Sequence, residues 1–226
     1  MGKANSQALA GASENADRNF GTRKVGETSQ NCKDSSVNCA KVKKNYPVES
    51  YETQRENIKK NKNQKNSPYY KCQAHHVMQN AFFQRGRGKT ADQKCCPDYS
   101  EAGALCIPLE DGMDPNTEHG RVTQMQKEDA KRYRQRCKNG EPGPTYEEAR
   151  NDAKTQLVAA ARWPRLSDAE VEECILKEVD KKFEEMCPKG MADPSKFRLR
   201  LPGSRGQGLP KQPLPKVPTA VGGSRP

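Results

Sequence analysis

Apolar residues are thinly scattered up to about residue 67; beyond that they fall into patterns that predict discrete elements. Pro68-Tyr69-Tyr70-Lys71-Cys72 favours an extended backbone and leads into Ala74-His75-His76, which predicts a first strand. Cys106-Ile107-Pro108-Leu109 is a short apolar run bounded by turn residues and reads as a second strand. Asp111-Gly112 and Asp114-Pro115-Asn116 are turn signals that lead into Thr117 and Glu118. The period then becomes helical. Val122, Met125, Gln126, Ala130, Tyr133 and Cys137 share one face of a helix that ends near Asn139-Gly140. Thr145 with Glu148 forms a capping box for a second helix, which carries Ala149, Ala153, Leu157 and Ala160 towards Trp163-Pro164. Ser167 with Glu170 caps a third, with a stripe of Val171, Cys174, Ile175, Val179, Phe183 and Met186, closed by Cys187-Pro188. These stripes are core-facing surfaces and carry no chemistry of their own.

Two polar segments flank this region. Residues 1–67 are rich in Asn, Ser, Lys, Gln and Gly, and Asn57 to Ser67 is almost wholly Lys and Asn, so the segment reads as a flexible basic linker. Residues 191–226 are dominated by Pro, Gly, Lys and Arg and read as a flexible tail. The expected organisation is therefore a folded α+β unit over residues 68–190 between two flexible ends.

Composition agrees with partial order: 32% of the 226 residues are hydrophobic and 31% charged, with a mean hydropathy of −1.11. A net charge of +11 favours a polyanionic partner: nucleic acid, an acidic protein or an anionic membrane surface. No apolar run approaches the ~20 residues of a membrane span, and Met1 to Ala10 lacks the apolar core of a secretory signal. The nine cysteines are an odd number, so at least one thiol stays outside any intramolecular disulfide. Cys32 with Cys39, and Cys95, Cys96 and Cys106, are candidates for pairing. Cys72, His75, Cys95 and Cys106 form a candidate structural zinc set, the basis of an alternative reading as a noncatalytic nucleic-acid-binding or adaptor protein.

Only three histidines occur, and two are adjacent: His75, His76 and, far downstream, His119. Imidazole both ligates divalent metals and accepts a proton near neutral pH. On an extended backbone neighbouring side chains point to opposite faces, so one histidine of the pair can hold a metal while the other faces substrate. A helix beginning near His119 would add a ligand from its own side, and the unligated histidine would deprotonate a water for in-line attack on phosphorus. Asn80 or Asn116 is available to orient that imidazole. Arg85-Gly86-Arg87-Gly88-Lys89 is a cationic loop whose Arg85, Arg87 and Lys89 would contact phosphates. There is no GxSxG elbow, P-loop or HExxH.

Ala74-His75-His76, Phe82-Phe83, Ala104 to Glu110 and Glu118-His119-Gly120 resemble bacterial polymorphic-toxin nucleases of the HNH/endonuclease VII (His-Me finger, ββα-metal) superfamily, in its AHH, GHH and HHH-type branches. The resemblance covers residues 69–137. It implies a small ββα-metal core with a helical C-terminal extension, and a divalent ion (Mg, Mn, Ni or Zn). His75 corresponds to the first-strand metal ligand, His76 to the general base, and His119 to the helix-side ligand. Several branches carry a further histidine one turn after the helix-side one; here that position is Thr123, leaving water, Glu118 or Asn116 to complete the metal shell. The resemblance further implies an endonuclease acting on DNA ahead of RNA, forming the toxin domain of a secreted antibacterial effector without a signal peptide. Such a domain is joined to a delivery apparatus or larger effector polypeptide, acts in the cytoplasm of a target bacterium and is held in check by a cognate acidic immunity protein.

Overall fold

A computed structural model of the chain describes residues 37–84, 95–162 and 164–202. Its class is α+β. The elements in order are α1 (Cys39–Asn45), β1 (Glu49–Ser50), α2 (Tyr51–Asn61), β2 (Cys72–His76), β3 (Leu105–Glu110), α3 (Glu118–Lys138) and α4 (Tyr146–Ala160). After these come α5 (Asp168–Val171), a π-helical turn over Glu172–Leu176, α6 (Lys177–Met186) and α7 (Pro188–Met191). None of the described helices is long and apolar enough to cross a membrane.

The sheet is antiparallel in the order β1-β3-β2. Its register sets His75 opposite Ile107 and His76 opposite Cys106. Pro108 sits in the middle strand, where proline has no N–H to give to the ladder. The strand tolerates it because β1 pairs only with Leu105 and Cys106, so at Pro108 the strand has one neighbour, Ala74.

The predicted helices form where their caps and stripes lie. Thr117 accepts the Gly120 N–H at the start of α3, and the Thr145/Glu148 and Ser167/Glu170 capping boxes both close. The third stripe deviates at the π-helical turn, whose wider winding buries three consecutive residues, Cys174, Ile175 and Leu176. One apolar cluster joins sheet and helices, with Phe83 stacked on Phe183 at 4.4 Å and on Tyr99 at 5.0 Å.

Both flanking segments need correction. Within residues 1–67, the stretch from Val37 onward is folded, not linker. Val42 and Tyr46 of the α1 region join the core, and Ser50 caps α2 by accepting the Thr53 N–H. The Asn57 amide and the Tyr69 hydroxyl both donate to Glu49. At the other end, the tail expected from residue 191 is packed as far as Pro202. Phe197 and Leu199 are buried, Arg198 bridges to Thr145, and the Arg200 N–H donates to the Phe82 carbonyl. Residues 1–36 and 203–226 lie outside the described residues.

Two disulfides cross the fold, Cys39–Cys174 and Cys96–Cys187, with sequence separations of 135 and 91. Neither joins the cysteines that proximity in sequence suggested. Cys72, Cys95, Cys106 and Cys137 are free thiols.

Candidate active site

Strand alternation separates the two adjacent histidines. His75 turns inward and is 5% exposed, while His76 is half-buried at the end of β2. His119 occupies the first turn of α3, and its ring meets that of His75 edge-on with centroids 5.5 Å apart. All three rings line one open cleft of about 1590 Å³.

The position of α3 is set by Glu118, a buried carboxylate that gathers three donors. Its Oε1 accepts the Tyr46 hydroxyl at 2.8 Å and the Arg162 N–H at 2.7 Å, and its Oε2 accepts the Glu110 N–H at 3.1 Å. It thereby ties the first turn of α3 to the chain around α1, to the end of β3 and to the exit of α4. Both oxygens being engaged, Glu118 is a framework group, which corrects its expectation as a spare metal ligand. Gly120 permits the close approach of the preceding turn: a Cβ there would lie 2.0 Å from the Asp114 carbonyl oxygen.

Electrostatics keep the inner imidazoles neutral. Burial, followed by the charges of His119 and His76, pushes His75 down to about 3. His119 is also lowered by burial, against a hydrogen bond to the Gly112 backbone and the Asp111 charge that favour its protonated form. A neutral imidazole with a lone pair to give is what a metal requires. The Nε2 of His75 is buried and has no hydrogen-bond partner among the described residues, an arrangement that costs energy unless something else satisfies it. The Nδ1 of His119 lies 3.4 Å from the Oγ1 of Thr123, the residue one turn further along α3. The two imidazoles thus stand side by side, with the His75 Nε2 unpartnered and His119 engaged by Thr123 and the Gly112 backbone. Among the described residues no group of three or more His, Cys, Asp or Glu completes the shell.

The same observation removes the Cys72, His75, Cys95 and Cys106 zinc set. Each thiol donates to a carbonyl elsewhere: Cys72 to Tyr70, Cys95 to Phe82 and Cys106 to Ala104. Burial raises all three, Cys72 to about 12 and Cys95 to about 11, so they stay protonated and make poor nucleophiles.

The two amides part company. Asn80 lines the cleft, and its side-chain oxygen accepts the Tyr99 hydroxyl at 2.7 Å. Asn116 is exposed in the turn before α3, where its N–H donates to Asp114, and it does not line the cleft. It is therefore not placed to orient an imidazole, because the turn that carries it caps the helix on the solvent side. Arg85, Arg87 and Lys89 lie outside the described residues.

Sequence patterning missed one contributor. Tyr51, the first residue of α2, stacks on His76 with centroids 4.5 Å apart and planes at 27°, and the Arg55 guanidinium lies over the same tyrosine at 5.5 Å. No periodicity marks Tyr51, because its partner is reached through the sheet and not along its own helix. No family model, curated protein or solved structure matches the chain.

Proposed function

We propose that the chain is a metal-dependent endonuclease that hydrolyses phosphodiester bonds, with DNA its principal substrate. The observation that carries the reading is the edge-on meeting of the His75 and His119 rings, the buried His75 Nε2 lacking a hydrogen-bond partner among the described residues, with His76 opening onto the same cleft. The succession β2, β3, α3, with histidines at the end of the first strand and the start of the helix, supports a ββα-metal core.

His75 and His119 would hold the ion. When bound, a divalent metal neutralises charge that develops on the phosphate and on the departing 3′ oxygen. His76 takes the proton from a water in the cleft, and the water oxygen attacks phosphorus opposite the 3′ oxygen. The bond from phosphorus to the 3′ oxygen breaks, leaving a 5′ phosphate and a 3′ oxygen that takes a proton from water to become a hydroxyl. A base so placed contributes about 10²- to 10⁴-fold in rate. Tyr51 holds the plane of the His76 ring, and Tyr99 holds the Asn80 amide at the cleft wall. Two nitrogen donors favour manganese, nickel or zinc over magnesium, which prefers an all-oxygen shell.

In this reading the domain is the toxic part of a secreted antibacterial effector. It is delivered by an apparatus or larger effector polypeptide into the cytoplasm of a target bacterium and restrained in the producer by an acidic immunity protein. Two disulfides suit a chain that leaves the reducing interior of its own cell.

The test is nicking of supercoiled plasmid by the purified chain with manganese, nickel, zinc or magnesium, with EDTA and His76→Ala alongside. Metal-dependent nicking lost in the variant supports the reading. A folded chain that cuts neither DNA nor RNA with any of the four metals overturns it.

A further inference from the structure

The α2 helix is the part of the cleft that no motif accounts for, and its cations are ordered. Arg55, Lys59 and Lys62 are exposed and line the cleft together with His76. Spaced four and three residues apart, they fall on the same side of the helix as Tyr51, within an arc of roughly 80°. Among the described residues the ion pair on this helix is Lys60 with Glu56 at 3.9 Å, on the neighbouring side. The charge continues beyond the helix: from Arg55 to Lys71 there are six cations and one carboxylate, Glu56. Glu52, Glu56, Asp98, Glu101 and Asp111 also line the cleft, so it is no uniform cationic trough. What sets α2 apart is order: Arg55, Lys59 and Lys62 form a single row, with no ion pair to them among the described residues, that starts beside the His76 imidazole.

We propose that α2 is a phosphate-binding rail along which one nucleic-acid strand runs away from His76, a proposal that rests on the nuclease reading for the identity of its ligand. The helix advances about 1.5 Å per residue, so Arg55 to Lys62 spans roughly 10 Å along its axis. With side-chain reach, that length serves about two to three successive phosphates of one strand, which lie roughly 6–7 Å apart along the backbone although their charges recur every ~3.4 Å along a duplex axis. Arg55 holds two positions at once, its guanidinium over the ring that stacks on His76 and its charge at the head of the row. Through the shared Tyr51 ring, 5.5 Å from the guanidinium and 4.5 Å from the imidazole, a phosphate held at Arg55 would set the register in which a neighbouring phosphodiester reaches the base. The contacts are to backbone only, so the rail binds without regard to base sequence.

The experiment separates binding from cleavage. The full chain carrying His76→Ala, in EDTA, is titrated against a short fluorescein-labelled DNA duplex across about 50 to 200 mM salt. It is compared with the same chain carrying Arg55→Gln, Lys59→Gln and Lys62→Gln. A charge-matched control replaces Lys131, Lys181 and Lys189, exposed lysines that do not line the cleft, by Gln. The rail predicts that the α2 triple variant loses about two to three from the slope of log affinity against log salt and binds at least ~10-fold more weakly, while the control stays near the parent. Equal losses in the two triples would overturn it, as would an unchanged slope or no salt-dependent binding by the parent. Polyglutamate competing as well as DNA, charge for charge, would mark the row as an acidic-protein surface and also overturn it. Salt-dependent binding lost in the α2 triple, from a histidine-intact chain that nicks nothing, would uphold the rail and remove the nuclease. Unaltered binding by a triple variant whose histidine-intact form nicks at the parental rate would do the reverse.

Discussion

Removing the Glu118 carboxylate tests whether the start of α3, and with it His119, is held by one buried group. In Glu118→Ala, the Tyr46 hydroxyl, the Arg162 N–H and the Glu110 N–H all lose their acceptor. Tyr46 can turn to the Pro164 carbonyl, already 3.1 Å away, so it recovers most of its loss. The two backbone donors are only part-buried, with Glu110 exposed and Arg162 half-buried, so water takes over and each lost bond costs about 0.5–1.5 kcal/mol. The expected destabilisation is about 1–3 kcal/mol, a sizeable share of the ~5–15 kcal/mol typical of a domain. Glu118→Gln separates acceptor from charge. Its carbonyl can occupy the Oε1 position and keep both Tyr46 and Arg162, while its NH₂ meets the Glu110 N–H donor to donor. That single conflict, at the exposed Glu110, predicts a loss of about 0.5–1 kcal/mol. Urea unfolding of the oxidised protein, with the denaturant slope compared between variants, gives both numbers. An alanine variant within about 0.5 kcal/mol of the parent would refute the reasoning, and so would a glutamine variant as damaged as alanine.

Other expectations follow from the same geometry. Tyr51→Phe keeps the ring on His76 and should nick plasmid at the parental rate, whereas Tyr51→Ala should lose about threefold to tenfold, in keeping with the ~0.5–1.5 kcal/mol of an aromatic pair; equal rates for both would show that the stack does nothing for the base. His75 binds protons less readily folded, at about 3, than unfolded, at about 6.5, so the unfolded chain holds more protons between those values. Metal-free stability should therefore be whole above about pH 6.5 and fall by up to ~1.4 kcal/mol per unit as pH drops towards 3. Denaturant midpoints of the chain and of His75→Leu across that range check it, with the variant showing the shallower slope. Gly120→Ala places a methyl group against the Asp114 backbone carbonyl. Thermal melting should register a loss of about 2 kcal/mol or more, well beyond the ~1 kcal/mol that alanine normally gains over glycine inside a helix.

The sequence announced the helices through features that act locally. Thr145/Glu148 and Ser167/Glu170 are reciprocal caps decided within four residues, and the stripe from Val122 to Tyr133 faces the core as its spacing requires. The opposite facing of His75 and His76 likewise follows from a strand's period of two. What stayed hidden depends on distant partners. The only fully buried residue of α2 is Gln54, so the helix shows no apolar stripe and resembles solvated linker until Glu49, Tyr69 and the cleft are in place. Phe197 and Leu199 are anchors in a Lys- and Pro-rich stretch without periodicity, legible only once the Tyr146 N–H donates to the Phe197 carbonyl and the Pro144 carbonyl accepts the Leu199 N–H. Of the two candidate amides, Asn80 reaches the cleft and Asn116 does not, a distinction governed by which side of the α3 cap the turn leaves exposed.

The interleaving of the two disulfides has a topological consequence. The interval from Cys39 to Cys174 overlaps the interval from Cys96 to Cys187 without enclosing it. A protease that severs any one peptide bond between Cys39 and Cys187 therefore releases nothing: the severed ends belong to a single covalent body. Even two cuts, one ahead of Cys96 and one between α3 and α4, leave three pieces joined through the segment that carries Cys174 and Cys187. The β2 strand with its histidines, the α3 helix with His119 and the C-terminal helices would travel together through a proteolytic environment, and would come apart only where thiols are kept reduced.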